Sequence, residues 1–163
     1  MIGNLLIVGA GGHGRVVNET AIAMNSFGKI DFLDDNSDIA IGKCNEYGKF
    51  VNNYNYAVIA LGKNKIRMKW TEELIKVGFQ IPILIEPTSY VSQSASIAAG
   101  SIICAKAVVN TNVKIGMGSI ISVGALIDND SYDGEYCHIN ASAIVKANSK
   151  IDRLKKLDAG MIC

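Results

Sequence analysis

Residues 103–127 read ICAKAVVNTNVKIGMGSIISVGALI and place an aliphatic side chain at every sixth position. The same spacing continues in both directions without an insertion, from residue 85 to residue 157. Twelve of these thirteen anchor positions are aliphatic, and Asp133 is the exception. The anchors are Ile85, Val91, Ile97, Ile103, Val109, Ile115, Ile121, Ile127, Asp133, Ile139, Val145, Ile151 and Leu157. A period of six fits neither the 3.6-residue repeat of an α-helix nor the two-residue repeat of a hairpin.

A row of small residues repeats in the same register. Four residues after each anchor, eleven of the thirteen residues are Ser, Ala, Val or Cys. Together the two rows predict a β-solenoid, in which each hexad forms one side, the anchors stack inside and the small residues fit tight corners. The alternative is a β-sandwich rich in Ile and Val with an accidental register, but thirteen uninterrupted hexads favour the solenoid.

Before residue 85 the sequence alternates between strand and helix patterns, and nine of the eleven aromatic residues lie before residue 91. Such alternation is typical of a parallel α/β sheet. We therefore predict an α/β domain at residues 1–84 and a solenoid domain at residues 85–163. The predicted strands are 5–8, 30–33, 56–61 and 81–85, and the predicted helices are 15–26, ended by Gly28, and 65–77, ended by Gly78.

Composition excludes several classes of protein. The net charge is +1 and no block of Lys or Arg is present, which argues against nucleic acid as a partner. No apolar run approaches the ~18 residues of a membrane span. The four cysteines have no C-x-x-C spacing, so neither a metal site nor a disulfide framework is expected, and reduced thiols indicate a cytoplasmic protein.

A glycine-rich loop follows the first predicted strand. Gly9, Gly11 and Gly14 fit the pattern G-x-G-x-x-G between a strand and a helix. In that context glycines let the backbone approach a phosphate, and the helix N-terminus supplies free N–H groups. The alternative is a purely structural turn between strand and helix.

Two further segments lie at predicted strand ends. Asp34 and Asp35 end the second strand and are placed to accept hydrogen bonds from a ribose or a uridine, or to form a solvated acidic loop. Gly62, Lys63 and Asn64 follow the third strand, at the edge where α/β proteins bind ligands. A helix-capping turn is an equally good interpretation of that segment.

The hexads resemble the left-handed parallel β-helix of the bacterial hexapeptide acyltransferases. The whole chain resembles one branch, the sialic-acid O-acetyltransferases and UDP-4-amino-sugar N-acetyltransferases, through IVGAGGHGR (7–15), FLDDN (32–36), ALGKN (60–64) and CHI (137–139). The resemblance implies a Rossmann-like nucleotide-sugar domain followed by a left-handed β-helix with three hexads per coil. It also implies acetyl-CoA as the acetyl donor, a UDP-amino sugar or sialic acid as the acceptor, and a homotrimer with active sites between subunits.

The resemblance also implies which residues bind the substrate. They are Gly9, Gly11, Gly12, His13, Gly14, Arg15, Asp34, Asp35, Gly62, Lys63 and Asn64. In the family one hexad carries a catalytic histidine with an adjacent carboxylate, and a second histidine follows nine residues later. Here Asn129 stands at the place of that first histidine, Asp130 keeps the carboxylate and His138 keeps the second histidine. An amide does not take up a proton near neutral pH, so Asn129 does not replace a catalytic base.

Two functions follow from these residues. The first is acetyl-CoA-dependent transfer to a nucleotide-activated amino sugar or to sialic acid, impaired by the change at Asn129. The second is a nucleotide-sugar-binding pseudoenzyme or regulatory subunit without turnover. Asp133 would stack between Ile115 and Ile151, so we expect the coil either to bulge and expose it or to supply a partner such as Lys150. The sequence ends in mid-repeat, and we expect either further coils or an oligomer to cover that end.

Overall fold

A computed structural model describes residues 2–163 and divides the chain into two compact units, Met1–Pro82 and Ile83–Cys163. Among the described residues, no helix is both long enough and apolar enough to cross a membrane.

The first unit is a four-stranded parallel sheet with two α-helices. The strand order is β3-β2-β1-β4, and β1 pairs with both β2 and β4 along its whole length. All four residues of β1 are buried, as its unbroken apolar sequence requires of a central parallel strand. The elements are β1 Leu5–Val8, α1 Gly12–Met24, β2 Ile30–Leu33, β3 Ala40–Gly42, a 3-10 helix Cys44–Phe50, β4 Tyr56–Ile59 and α2 Asn64–Lys76.

The predicted strands at 5–8 and 30–33 are confirmed, and the helices differ from their predicted ranges by a few residues. The end of α1 was assigned to the wrong residue. Asn25, not Gly28, adopts the left-handed conformation there, and its N–H donates to the carbonyl of Ile22. Gly78 does follow α2 in the left-handed region, with φ +105°.

The predicted strand at 81–85 is wrong. Only Gln80 forms a bridge to β4, through Tyr56, while Leu84 and Ile85 form a strand of the second unit. Pro82 lacks the N–H group that a central strand needs, which explains why the apolar run does not extend the sheet. The sequence also gave no sign of β3 or of the 3-10 helix, because both are short and neither has a periodic apolar pattern.

The second unit consists of two-residue strands stacked in three parallel sheets. Each strand pairs with the one eighteen residues away, as Ile120 does with Ile102 and with His138, so three hexads make one coil. The predicted parallel β-helix is therefore confirmed. The strands are β5 Leu84–Ile85, β6 Tyr90–Val91, β7 Ser96–Ile97, β8 Ile102–Ile103, β9 Val108–Val109, β10 Lys114–Ile115, β11 Ile120–Ile121, β12 Leu126–Ile127, β13 Tyr132–Asp133, β14 His138–Ile139, β15 Ile144–Val145, β16 Lys150–Ile151 and β17 Lys156–Leu157.

The corners of the coils repeat one backbone geometry. The anchors pack inside as one apolar core, and the small residues of the second row, such as Ser101 and Ala125, are buried at the corners. The third residue after each anchor has a positive φ at every sixth position from Gly100 to Gly160. Non-glycine residues adopt this left-handed conformation at many corners, Lys106 and Asp130 among them.

Asp133 stays in register in β13, paired with Ile115 on one side and Ile151 on the other. Its side chain is fully buried. The coil therefore does not bulge to expose it, and that alternative is wrong.

Candidate functional site

The first unit brings the glycine-rich loop and the segment after β4 to one edge of its sheet. The chain leaves β1 toward β2 on one side, and β4 lies on the other side of β1. In open α/β sheets, ligands bind outside the carboxyl ends of the strands at the point where the order reverses in this way. The N–H of Ala60 donates to the carbonyl of Val8 at 2.8 Å, which holds the two loops side by side.

Two of the loop glycines are required by packing. Gly9 has φ +107°, and a Cβ there would lie 3.1 Å from the carbonyl oxygen of Ala60. A Cβ on Gly14 would lie 2.0 Å from the carbonyl oxygen of Gly9. Any side chain at Gly14 would therefore push α1 away from the loop.

Gly11 and Gly12 differ, because both are exposed and a Cβ on either would meet no atom within 4 Å. Gly11 is the N-cap of α1, and no side chain caps this end of the helix. The first N–H groups of a helix have no partner within the helix, so this end attracts anions. The absence of side chains leaves open space directly in front of those groups.

His13 and Arg15 complete the first turn of α1. His13 is half-buried, whereas Arg15 is exposed and its N–H makes the first helical hydrogen bond, to the carbonyl of Gly11. Arg15 adds one positive charge to the first turn of α1.

The two aspartates bind backbone groups of the unit. Asp34 Oδ2 accepts from the N–H of Ala10 at 2.8 Å and Oδ1 from that of Asn36 at 2.8 Å. These bonds, the one from Ala10 first, hold the pKa of the Asp34 carboxyl below its usual value. Asp35 is exposed, and its Oδ1 accepts from the N–H of Cys44 at 3.0 Å. Asp34 therefore ties the end of β2 to the glycine-rich loop.

A buried arginine, which the sequence analysis did not identify, donates hydrogen bonds to the segment after β4. Arg67 is 1% exposed, and its guanidinium donates to the carbonyl of Leu61 at 2.9 Å and to Asn64 Oδ1 at 2.9 Å. Gly62 and Lys63 are exposed, and a Cβ on Gly62 would meet nothing within 4 Å. An arginine in an amphipathic helix normally points to solvent, so no pattern indicated its burial.

In the second unit, Asn129 and Asp130 lie at the corner after β12. Asn129 Nδ2 donates to Asp130 Oδ2 at 2.7 Å, and Asn112 Nδ2, one coil earlier, donates to Asp130 Oδ1 at 3.0 Å. These two amides lower the pKa of the exposed Asp130 carboxyl. The carboxyl borders an open groove along the sheet of β10, β13 and β16, where Lys114 and Tyr132 also lie.

His138 lies in β14, and its partner was missed by the sequence analysis. Ser122 Oγ is 3.0 Å from His138 Nε2, and both residues are half-buried. The coil length of eighteen residues would have predicted this contact. It pairs His138 with Ile120, and Ser122 lies two residues after Ile120.

The structure does not bring His138 to Asn129 within one copy of the chain. Asn129 follows β12 and His138 is in β14, and these strands belong to different sheets. Their nine-residue separation is half of one eighteen-residue coil.

Comparisons with known proteins agree with this architecture. A family model described as the PglD N-terminal domain matches residues 4–74. The acetyltransferase domain of PglB from Neisseria gonorrhoeae is 34% identical, with a TM-score of 0.94 over 98% of this chain and 81% of that chain. The same domain in complex with acetyl coenzyme A is 30% identical, with a TM-score of 0.69 over 96% of this chain and 88% of that one.

A more distant structure shares the fold. It is a histidine-to-asparagine mutant of perosamine N-acetyltransferase from Caulobacter crescentus, in complex with CoA and GDP-perosamine. It is 24% identical, with a TM-score of 0.87 over 100% of this chain and 89% of that chain.

Proposed function

Because this chain belongs to the hexapeptide-repeat sugar acetyltransferases that carry a PglD N-terminal domain, we propose that it transfers the acetyl group of acetyl-CoA to a nucleotide-linked amino sugar. The main observation that supports a nucleotide-linked acceptor is the open space at Gly11 and Gly12, in front of the N-terminus of α1. A PglB domain 30% identical to the chain has been captured with acetyl coenzyme A, which supports the donor.

In this proposal the diphosphate of the acceptor lies against the first turn of α1. The N–H groups at Gly12 and His13 attract the negative charge of the diphosphate, and the positive charge of Arg15 strengthens that attraction. Asp34 keeps the loop in place through Ala10, and Asp35 and Lys63 border the same edge. Uridine diphosphate is the first nucleotide to test, as the sequence resemblance implies.

Acetyl transfer to an amine needs a group that accepts the proton of the attacking nitrogen. Asn129 does not serve as that base, and its amide instead holds the Asp130 carboxylate. In our proposal Asp130 orients the amine, and His138, whose Nε2 is within reach of Ser122, is the proton acceptor.

We propose a homotrimer that brings Asn129 of one subunit close to His138 of another. The outward residues of the sheet formed by β6, β9, β12 and β15 are all apolar. We call this set the apolar stripe: Tyr90, Val108, Leu126 and Ile144. Asn129 follows the same sheet directly, so packing of the apolar stripe against a second copy would place Asn129 beside a neighbour. The cytoplasmic location stays a prediction.

The second candidate is a pseudoenzyme that binds a nucleotide sugar without turnover. One observation favours it: an amide occupies position 129, where the family resemblance places a catalytic histidine, and it is engaged with Asp130. In that case the open space at Gly11 still binds the nucleotide, but CoA is not released.

A thiol-release assay separates the two candidates. The full chain is incubated with acetyl-CoA and, in turn, with UDP-, GDP- and dTDP-linked 4-amino sugars and with sialic acid, while calorimetry measures binding of each. Release that depends on a nucleotide-linked amino sugar supports the acetyltransferase, and release with sialic acid alone would assign oxygen rather than nitrogen as the acceptor. Binding without release supports the pseudoenzyme.

An Asn129→His variant sharpens the distinction. If the chain lacks its base, the new histidine raises the rate by the ~10²–10⁴-fold typical of a positioned general base. If His138 already serves, the rate changes by less than about tenfold, because a second base adds little to a step that has one.

A further inference from the structure

The carboxyl group of Asp130 is bonded through both of its oxygens, by amides from two successive coils. Asn129 Nδ2 donates to Oδ2 at 2.7 Å, and Asn112 Nδ2, eighteen residues before Asp130, donates to Oδ1 at 3.0 Å. An ionised carboxylate only accepts hydrogen bonds, so each amide must present its nitrogen to it and not its oxygen. The orientation of both asparagine side chains therefore follows from the chemistry of their partner.

The backbone fixes the position of Asn112. Its φ is +59°, in the left-handed region that asparagine adopts more readily than most residues with a side chain. Its N–H donates to Ser94 Oγ, in the preceding coil, at 3.0 Å. Asn112 is thus held by one coil and bonds to a residue of the next, which limits the directions that the Asp130 carboxyl can take.

The two amides leave part of the carboxyl open to a ligand. A carboxylate has about four acceptor sites, and each amide occupies one of them. Asp130 is exposed and borders the groove along the sheet of β10, β13 and β16. Lys114, Tyr132 and Lys150, one from each of these strands, are the other titratable residues that line the groove in the described part of the chain.

We propose that Asn112 is a positioning residue of the acceptor site: together with Asn129 it holds the Asp130 carboxylate in the orientation that accepts a hydrogen bond from the attacking amine. This inference rests on the proposed function, which assigns the acceptor amine to Asp130. In this role Asn112 does not contact the reacting atoms and acts through Asp130. The amide at position 129 has the same task, since it holds the carboxylate and does not accept a proton.

The first test is Asn112→Gly, which removes the amide and keeps the left-handed backbone. We expect kcat with a nucleotide-linked amino sugar to fall by about 10–100-fold, because misplacement of a group at the reacting centre has an effect of that size. KM for acetyl-CoA should be unchanged, since Asp130 is assigned to the acceptor.

The matched control is Asn148→Gly. Asn148 lies at the same corner one coil after Asp130 and also has a φ of +59°. Among the described residues, the side chains that donate to Asp130 are those of Asn112 and Asn129, so Asn148 is not one of them. Asn148→Gly should therefore leave kcat unchanged, although it removes the same amide from the same backbone geometry.

A second variant, Asn112→Asp, makes the contact with Asp130 depend on pH. Two carboxyls in contact do not both ionise freely, so one of them keeps a proton above the ordinary pKa of 3.8. The form with one proton donates a hydrogen bond and restores the contact, whereas the fully ionised form repels Asp130. The positive charges of Lys114 and Lys150 in the same groove move the loss of that proton toward lower pH.

The rate of Asn112→Asp is therefore measured relative to that of the unmodified protein at each pH. We expect the ratio to be close to one at the acidic end of the range in which both proteins are folded. It should fall to the value of Asn112→Gly as the pH rises. An asparagine with a merely structural role would give a ratio that does not change with pH.

The carboxyl group also gives a readout that does not depend on turnover. The chain is labelled with ¹³C-aspartate, the signal of Asp130 is identified by its loss in Asp130→Asn, and its pKa is measured by NMR. Both amides lower that pKa, so it should rise toward the ordinary 3.8 in Asn112→Gly and stay unchanged in Asn148→Gly. Circular dichroism at each pH establishes that the variants are folded.

The outcomes distinguish this inference from the proposed function. A raised pKa of Asp130 together with a lower kcat in Asn112→Gly supports the inference. A raised pKa, with no acetyl transfer by the unmodified protein to any acceptor, supports the hold on Asp130 and rejects the proposed function. An unchanged pKa in Asn112→Gly, or a kcat that Asn148→Gly lowers as much as Asn112→Gly does, overturns the inference.

Discussion

Asp34 stabilises the glycine-rich loop through its charged form. Both carboxylate oxygens accept backbone N–H bonds, from Ala10 and from Asn36, and the pKa of the group is lowered as a result. A carboxyl whose pKa is lower in the folded than in the unfolded state stabilises the protein at pH values above the unfolded pKa. That stabilisation disappears as the pH falls through the folded pKa.

We therefore expect Asp34→Ala to lower the free energy of unfolding by about 1–3 kcal/mol at pH 7, the usual effect of losing hydrogen bonds to a charged group. The difference from the unmodified protein should shrink as the pH falls below about 3.8, the ordinary pKa of the group. Urea unfolding across pH measures both effects. Asp38→Ala is the control, because Asp38 is an exposed aspartate in the same connection between β2 and β3. An equal loss in both variants would contradict the assignment.

The glycines of the loop should separate into two kinds on mutation. Gly11→Val should leave the melting temperature unchanged and weaken UDP-sugar binding by at least about tenfold, since the side chain fills the space in front of the helix. Gly14→Ala should instead lower stability by about 1–3 kcal/mol, because its Cβ overlaps the carbonyl of Gly9. Calorimetry and thermal melts give the two readouts. Unchanged affinity in Gly11→Val would make the loop structural.

For single residues, the sequence predicted a role only where the residue type and its spacing allow few alternatives. The spacing of Gly9, Gly11 and Gly14 marked the loop, because few other contexts require that pattern. It did not mark Arg67 or Ser122, since burial of an arginine and pairing of a serine depend on contacts made only in the folded chain. Site assignments at Asn129 and His138 stay predictions.

The anchor row of the solenoid contains one carboxyl group, in β13. Asp133 is fully buried between Ile115 and Ile151 in a core of Ile and Val. Burial of a polar group is unfavourable relative to an aliphatic group of similar size. We expect Asp133→Val to raise the free energy of unfolding by about 1–3 kcal/mol, measured by urea unfolding.

The control for this prediction is Asp158→Val, because Asp158 is exposed and its replacement should not stabilise the fold. A lower stability of Asp133→Val would show that polar contacts of the carboxyl outweigh its desolvation.

Among the elements, the hexads of the solenoid were predictable from the sequence, the number of hexads per coil came from the family resemblance, and the end of the first unit was not predicted. A period of six over thirteen hexads specifies both the inward row and the corners, because no other regular structure has that repeat. Residues 81–85 are apolar enough for either unit, and the anchor register at Ile85, already visible in the sequence, assigns Leu84 and Ile85 to the solenoid. Composition alone could not make that choice, since both sheets bury Ile and Leu.

Across the whole molecule, the trimer that we propose depends on the apolar stripe. Leu126 lies at its centre, between Val108 and Ile144. We expect the full chain to scatter light as a species of three times the mass of one chain. Leu126→Arg should give a monomer, because a charge buried at an interface without a partner is strongly unfavourable.

Ile22→Arg is the control, because Ile22 is an exposed apolar residue that lies on α1 in the first unit. It should leave the molecular mass unchanged. A monomer before any mutation, or a trimer that survives Leu126→Arg, would contradict this interface. Loss of acetyl transfer together with the trimer would show that the site is shared between copies.

The eighteen-residue coil limits which insertions and deletions the solenoid tolerates. Removal of six residues ahead of Asn129 would leave every anchor in an anchor position, so the strands would still stack and the core would still fill. Each later hexad would, however, move to the neighbouring sheet of the solenoid. The apolar stripe would then no longer be continuous on one face. Only changes of whole coils preserve both the core and the surface. The evolvable unit of this domain is therefore the coil, although its repeating unit is the hexad.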